Sequence, residues 1–139
     1  MTLPRSWLAL VLFVAAAPAA LAHDPKTNYT LHCQGCHVAD GSGLEGKVPS
    51  MRPTLVPMAL FPEGRRFLVQ VPGVAQSSLS DAETAALLNW MVRNLGEQPA
   101  PARLREFTAA EVARYRATRL LEVRATRAQV MARIGSHNR

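Results

Sequence analysis

The 139-residue chain carries 16 lysines and arginines against 10 aspartates and glutamates, a formal net charge of +6. Its length allows one small domain and no more, with a limited core of its own. The charge is uneven: residues 23–100 hold six basic and seven acidic side chains, residues 101–139 nine arginines and three glutamates. The basic character therefore belongs to a C-terminal extension, and the part before it is near neutral.

Taken in order, the chain opens with Arg5, an apolar run from Trp7 to Ala17 and the small residues Ala20-Leu21-Ala22. This reads as a secretory signal peptide over residues 1–22, cleaved after Ala22. The alternative is an uncleaved anchor, but the run falls short of the ~20 residues that span a bilayer, and Pro18 interrupts it. No later stretch is apolar enough to cross a membrane, so the mature protein is expected to be periplasmic and soluble.

Asp24 before Pro25 can cap a helix that tolerates proline in its first turn. Tyr29 would lie on its inner face, and the helix runs into Cys33-Gln34-Gly35-Cys36-His37. This is C-x-x-C-H, the attachment motif for haem c. The two-residue spacing lets both thiols reach the porphyrin edge and form thioethers with its vinyl groups, and the histidine that follows is carried beneath the ring as an iron ligand. Three other readings compete: a thioredoxin-like redox pair, half of a zinc site, or a disulfide. The first needs a βαβ setting that is missing here, and the second needs two more ligands that the remaining histidines do not supply as a pair. Export favours haem, since covalent haem c is assembled outside the bacterial cytoplasm. One covalent haem would also supply apolar buried surface that so short a chain lacks.

After His37 the glycines at 41 and 43 permit a tight turn. Residues 44–64, with prolines at 49, 53, 57 and 62, are expected to be loop. Residues 63–71 predict a short helix with Phe67, Leu68 and Val71 inward, ended by Pro72-Gly73. Ser80 with Glu83 makes a capping box, and Leu87, Leu88, Met91, Val92 and Leu95 follow at helical steps. Residues 99–107, with Pro99 and Pro101, read as a linker. Thr108 with Glu111 opens a second capping box, and one long basic helix is expected over residues 108–135. Its apolar stripe of Val112, Leu120, Val123, Val130 and Ile134 is interrupted by Arg116 and Arg127.

With these elements placed, residues 27–96 resemble a class I, mono-haem c-type cytochrome. The resemblance is carried by Tyr29-x3-Cys33-x2-Cys36-His37, by Asp40-Gly41-x-Gly43, and by an amphipathic helix beginning Leu79-Ser80-Asp81-Ala82-Glu83. It implies an all-α domain over residues 23–98 wrapped around one covalent haem, with the arginine-rich helix outside it. It implies too that the closing helix crosses the first through Trp90 and Tyr29. Pro49 resembles the loop proline whose carbonyl accepts the proton of the iron-binding histidine.

The second iron ligand in such proteins is usually a methionine shortly before the closing helix, but Val71-Pro72-Gly73-Val74-Ala75-Gln76-Ser77-Ser78 has none. Met58 is the first candidate, an open sixth position the next. Met51 and Met91 read as packing residues, His32 is expected to point away from the iron, and His23 and His137 lie near the ends. Arg65, Arg66 and Arg52 are candidate partners of haem propionates, or simply solvated. These features predict a non-enzymatic periplasmic electron carrier that meets redox proteins, a dehydrogenase or oxidase, through their acidic surfaces, with no nucleic-acid role. The alternatives are a haem-based small-ligand binder or sensor with an open iron position, and the haem subunit of a periplasmic dehydrogenase with the tail as its anchor. The tail is expected to be a docking helix, packed on the haem domain or gripping a partner.

Overall fold

The structure is a computed structural model that describes residues 23–137; the signal-peptide expectation for residues 1–22 and the side chain of His137 lie outside the described residues. Apart from an isolated bridge between Leu44 and Val48, the regular structure described is helical, as the all-α reading expects. Helix α1 (Pro25–His32) is capped by Asp24, whose carboxylate accepts from the backbone N–H groups of Lys26 and Thr27. One turn, α2 (Gln34–His37), follows directly. Helix α6 (Asp81–Asn94) begins with the Ser80–Glu83 capping box, both halves of which are made. The α1 and α6 helices cross through Tyr29 and Trp90, ring centroids 5.5 Å apart, as the resemblance implies.

Residues 44–64 differ from expectation. Helix α3 (Arg52–Leu60) forms despite Pro53 in its first turn and Pro57 inside it, and α4 (Pro62–Gln70) starts almost at once. An interior proline costs a helix about 3 kcal/mol. Leu55, Val56, Met58 and Ala59 are all buried, and each large apolar side chain returns ~1.5–3 kcal/mol on burial, so packing outweighs propensity. Gly64 makes the α3–α4 corner possible, because a Cβ there would meet the Met58 carbonyl oxygen at 2.3 Å. Pro72-Gly73 ends α4 as expected, but Pro72 also opens a further turn, α5 (Pro72–Ala75).

The tail is helical in two pieces rather than one: α7 (Ala109–Arg116) and α8 (Val123–His137). Two long-range contacts break it. The Gln70 side chain donates to the carbonyls of Tyr115 (3.1 Å) and Thr118 (2.9 Å), taking over groups that a continuing helix would use. Arg116 turns inward and donates to the carbonyls of Leu79 and Val74 and to Asp81, Ser77 and Thr84. The second capping box is half made: Thr108 accepts from the Glu111 N–H, while the Glu111 carboxylate is drawn to Arg65 instead. Residues 99–107 are irregular but anchored, with Asn89 gripping both backbone groups of Phe107 at 2.7 and 3.0 Å.

Two apolar clusters result. One joins α1, α3, α6 and α7 through Tyr29, Leu55, Leu88, Val92, Phe107 and Val112. The other joins Met58 of α3 and Phe67 of α4 to Val130 and Ile134 of α8. No helix among the described residues is long and apolar enough to cross a membrane.

Candidate haem site

The turn that holds Cys33, Cys36 and His37 is set by its backbone. The N–H groups of Cys36 and His37 both donate to the Cys33 carbonyl, at 3.2 and 3.0 Å, so one helical turn separates the thiols. Val38 then leaves the helix at φ 53°, ψ 176°, a region that glycine alone visits readily and that costs a β-branched residue of order 1–3 kcal/mol. The buried Tyr29 hydroxyl holds it there, donating to the Val38 carbonyl at 2.7 Å; burial pushes the phenol up to about 12, so it is a permanent donor. Gly43 returns the chain, its N–H donating to the His37 carbonyl at 3.1 Å. At φ 75° its Cα lies so near Val48 and Pro49 that a Cβ would meet the Val48 oxygen at 2.3 Å. The glycine turn expected after His37 is thus required at Gly43 by contact as well as by dihedral angle.

A cavity of ≈ 320 Å³ opens beside this turn. Cys33 and His37 line it on one side, and Leu55, Met58, Leu68 and Leu88 on others. Cys36 is exposed and Cys33 half-buried, both as free thiols. Burial pushes the Cys33 thiol up to about 11, the opposite of the lowered value that a redox-active C-x-x-C pair depends on. Among the described residues no group of three histidines, cysteines or carboxylates is placed to hold a metal ion alone, which leaves the half-zinc reading without further ligands. Burial also lowers the His37 pKa and favours the neutral imidazole, the form that binds iron. Its Nδ1 is buried with no hydrogen-bond partner, a state that costs ~1–3 kcal/mol unless something else engages it.

Pro49 lines the cavity beside His37, but the expected hydrogen bond between its carbonyl and the imidazole is not made in this structure. Met58 is 1% exposed and lines the cavity together with Met51 and Met91. Three thioethers therefore border this space, two of them on residues read from sequence as packing only. His32, expected to point away, contributes to the rim.

The arginines corrected more of the sequence reading. Arg65 is not at the cavity. It is 3% exposed and holds Glu111 through two hydrogen bonds, at 2.7 and 2.6 Å, with its remaining N–H groups on the carbonyls of Ala59, Arg105 and Glu106. Arg52 pairs with Asp40 at 3.0 Å, and Arg66 is exposed above the Tyr115 ring. The cavity is instead lined by Lys47 and by Val123 and Arg127 of α8. The sequence signal for Arg127 was its place inside an otherwise apolar stripe.

Over 129 residues the chain is 28% identical to cytochrome c-552 of Thermus thermophilus, a match covering 80% of this chain and 87% of that protein. The similarity supports a c-type cytochrome. No family model matches the chain. An all-helical chain with C-x-x-C-H at the edge of an apolar cavity, a neutral imidazole on its wall and an orphaned buried ring nitrogen fits a haem at this position. Cys33, Cys36 and His37 would hold it.

Proposed function

We propose that this chain is an exported, single-haem class I cytochrome c that carries electrons between redox proteins in the periplasm and is not itself an enzyme. The observation that carries this reading is the apolar cavity that brings Met58, 21 residues further along the chain, to the space lined by Cys33 and His37. Cys33 and Cys36 would form the two thioethers, and His37 and Met58 would be the two iron ligands. When bound, the haem supplies one-electron redox chemistry at iron. The chain's contribution is a largely apolar wall that tunes the potential and keeps the cofactor oriented. The similarity to a cytochrome c-552 supports the same cofactor and the same class of work.

The test is the spectrum and mass of the purified mature protein in both oxidation states. A mass gain of one haem, a low-spin spectrum and a thioether charge-transfer band in the ferric state are expected. That band should vanish in Met58→Ala and persist in Met51→Leu and Met91→Leu. A high-spin ferric haem that binds carbon monoxide rapidly on reduction would replace the carrier with the small-ligand binder. Encounter with acidic partners is assigned to the exposed arginines Arg103, Arg105 and Arg119. Replacing all three by glutamine should slow electron exchange with an acidic partner at low ionic strength and have no effect at high.

A further inference from the structure

Arg127 differs from every other arginine withdrawn from solvent. Arg52, Arg65 and Arg116 are half-buried or buried, and each holds a carboxylate: Asp40, Glu111 and Asp81 respectively. Arg127 is half-buried and lines the apolar cavity, yet among the described residues it forms no ion pair or hydrogen bond. The more exposed Arg133, two turns on, has a partner in Glu63. An arginine half-withdrawn from water at the edge of an apolar space is favoured by a compensating charge within reach of its head. Its planar fork matches a carboxylate far better than it matches the leucines, valines and methionines around this space. No aspartate or glutamate lines the cavity, and the other basic side chain of fixed charge there is Lys47, which is exposed.

Resting on the haem assignment above, we propose that Arg127 is a cofactor-binding residue: it takes a propionate carboxylate of the haem, so that the tail helix α8 supplies part of the cofactor site. This explains why an arginine interrupts the apolar stripe of α8 at this position. It also gives the basic extension a role in the isolated protein, beyond any encounter with partners. The pairing would neutralise a negative charge next to the iron and so favour the reduced state.

The experiment uses the full-length holoprotein and the variants Arg127→Gln and Arg127→Lys, with Arg124→Gln as control, since Arg124 is exposed on the same helix. Haem content by mass is recorded first; a wild type without haem would sink the haem assignment and with it this proposal, a result distinct from those below. The readouts are the reduction potential and the haem-propionate proton resonances. Arg127→Gln should lower the potential and shift the resonances of one propionate. Arg127→Lys keeps the charge and should hold most of the potential while still shifting those resonances, because the fork is lost. Arg124→Gln should leave both where they were. Unmoved propionate resonances in both Arg127 variants, or an equal potential shift in Arg124→Gln, would overturn the assignment. So would an effect of Arg127→Gln seen only after an acidic partner is added, since the carboxylate would then be the partner's.

Discussion

The residue with the least favourable backbone in the described chain is Val38, and it follows His37 directly. Its carbonyl receives the Tyr29 hydroxyl at 2.7 Å and only a long 3.4 Å contact from the Gly41 N–H. Tyr29 therefore does two things at once: its ring packs on Trp90 and its hydroxyl fixes the exit from the C-x-x-C-H turn. Tyr29→Phe keeps the ring contact and leaves the Val38 carbonyl poorly satisfied, a loss of about 1–2 kcal/mol, to be read as a lowered urea midpoint with an unchanged slope. Gly43→Ala should cost about 1–3 kcal/mol from its dihedral angle alone, and more through the contact with Val48. Because Val48 and Pro49 line the cavity, that variant should also disturb the haem spectrum, whereas Tyr29→Phe should leave the iron ligands in place. The C-x-x-C-H turn, the glycines and the inward tyrosine were legible because each acts within a few residues of where it stands. Val38 was not: a positive φ at a β-branched residue arises from Tyr29 nine positions away, and nothing in the residue type announces it.

Among elements, the helices whose ends are fixed locally stand where the sequence puts them. Asp24 caps α1 and Ser80 with Glu83 caps α6 through side chains that accept from backbone N–H groups two or three residues away. Helix α3 and the tail helices depended on distant partners. Proline signals argued for loop over α3, and burial of Leu55, Val56 and Met58 overrode them. The tail read as one helix because its composition is uninterrupted, but Gln70 and Arg116 stop it from outside. The Arg65–Glu111 pair, invisible at a separation of 46 residues, ties α4 to α7 and covers Phe107, with the guanidinium carbon 3.8 Å from the ring centroid. Hydrogen bonds from Arg65 hold the Glu111 carboxyl below the ordinary range against the opposing effect of burial. A carboxylate lowered on folding adds stability that is full above its unfolded value, about 4.3, and lost as the pH falls through the folded value. Glu111→Gln should thus destabilise by about 3 kcal/mol at neutral pH. The gap from wild type should close progressively in acid below about pH 4. Urea midpoints measured from neutral pH to pH 3 check this, and a gap constant with pH would show that the loss is steric.

At the scale of the molecule, the extension beyond residue 100 is part of the core rather than an appendage to it. Phe107 and Val112 belong to the cluster that holds Tyr29 and Leu88, and Val130 and Ile134 cover Met58 and Phe67. Removing residues 101–139 would therefore strip the Arg65 partner and open both clusters, and a docking role is better tested by neutralising exposed arginines. Removal of α8 alone is the informative truncation, because α8 is held almost wholly by apolar contact. Its one ion pair to the rest of the described chain, Arg133 with Glu63, joins side chains 73% and 46% exposed; such a pair contributes little. Val130 and Ile134 are each 5% exposed, and losing their burial costs ~1.5–3 kcal/mol apiece. Deleting residues 122–139 should then lower stability by about 3–6 kcal/mol, and the loss should persist at high ionic strength, since the pairing proposed for Arg127 is half-buried and little screened. A loss that shrank with added salt would mean that the arginines of α8, not its valine and isoleucine, hold the helix in place. Met58 and the cavity wall lose their cover in the same truncation. On the haem assignment proposed above, the shortened holoprotein should therefore bind carbon monoxide or imidazole faster than the full chain, while the thioethers proposed at Cys33 and Cys36 stay intact.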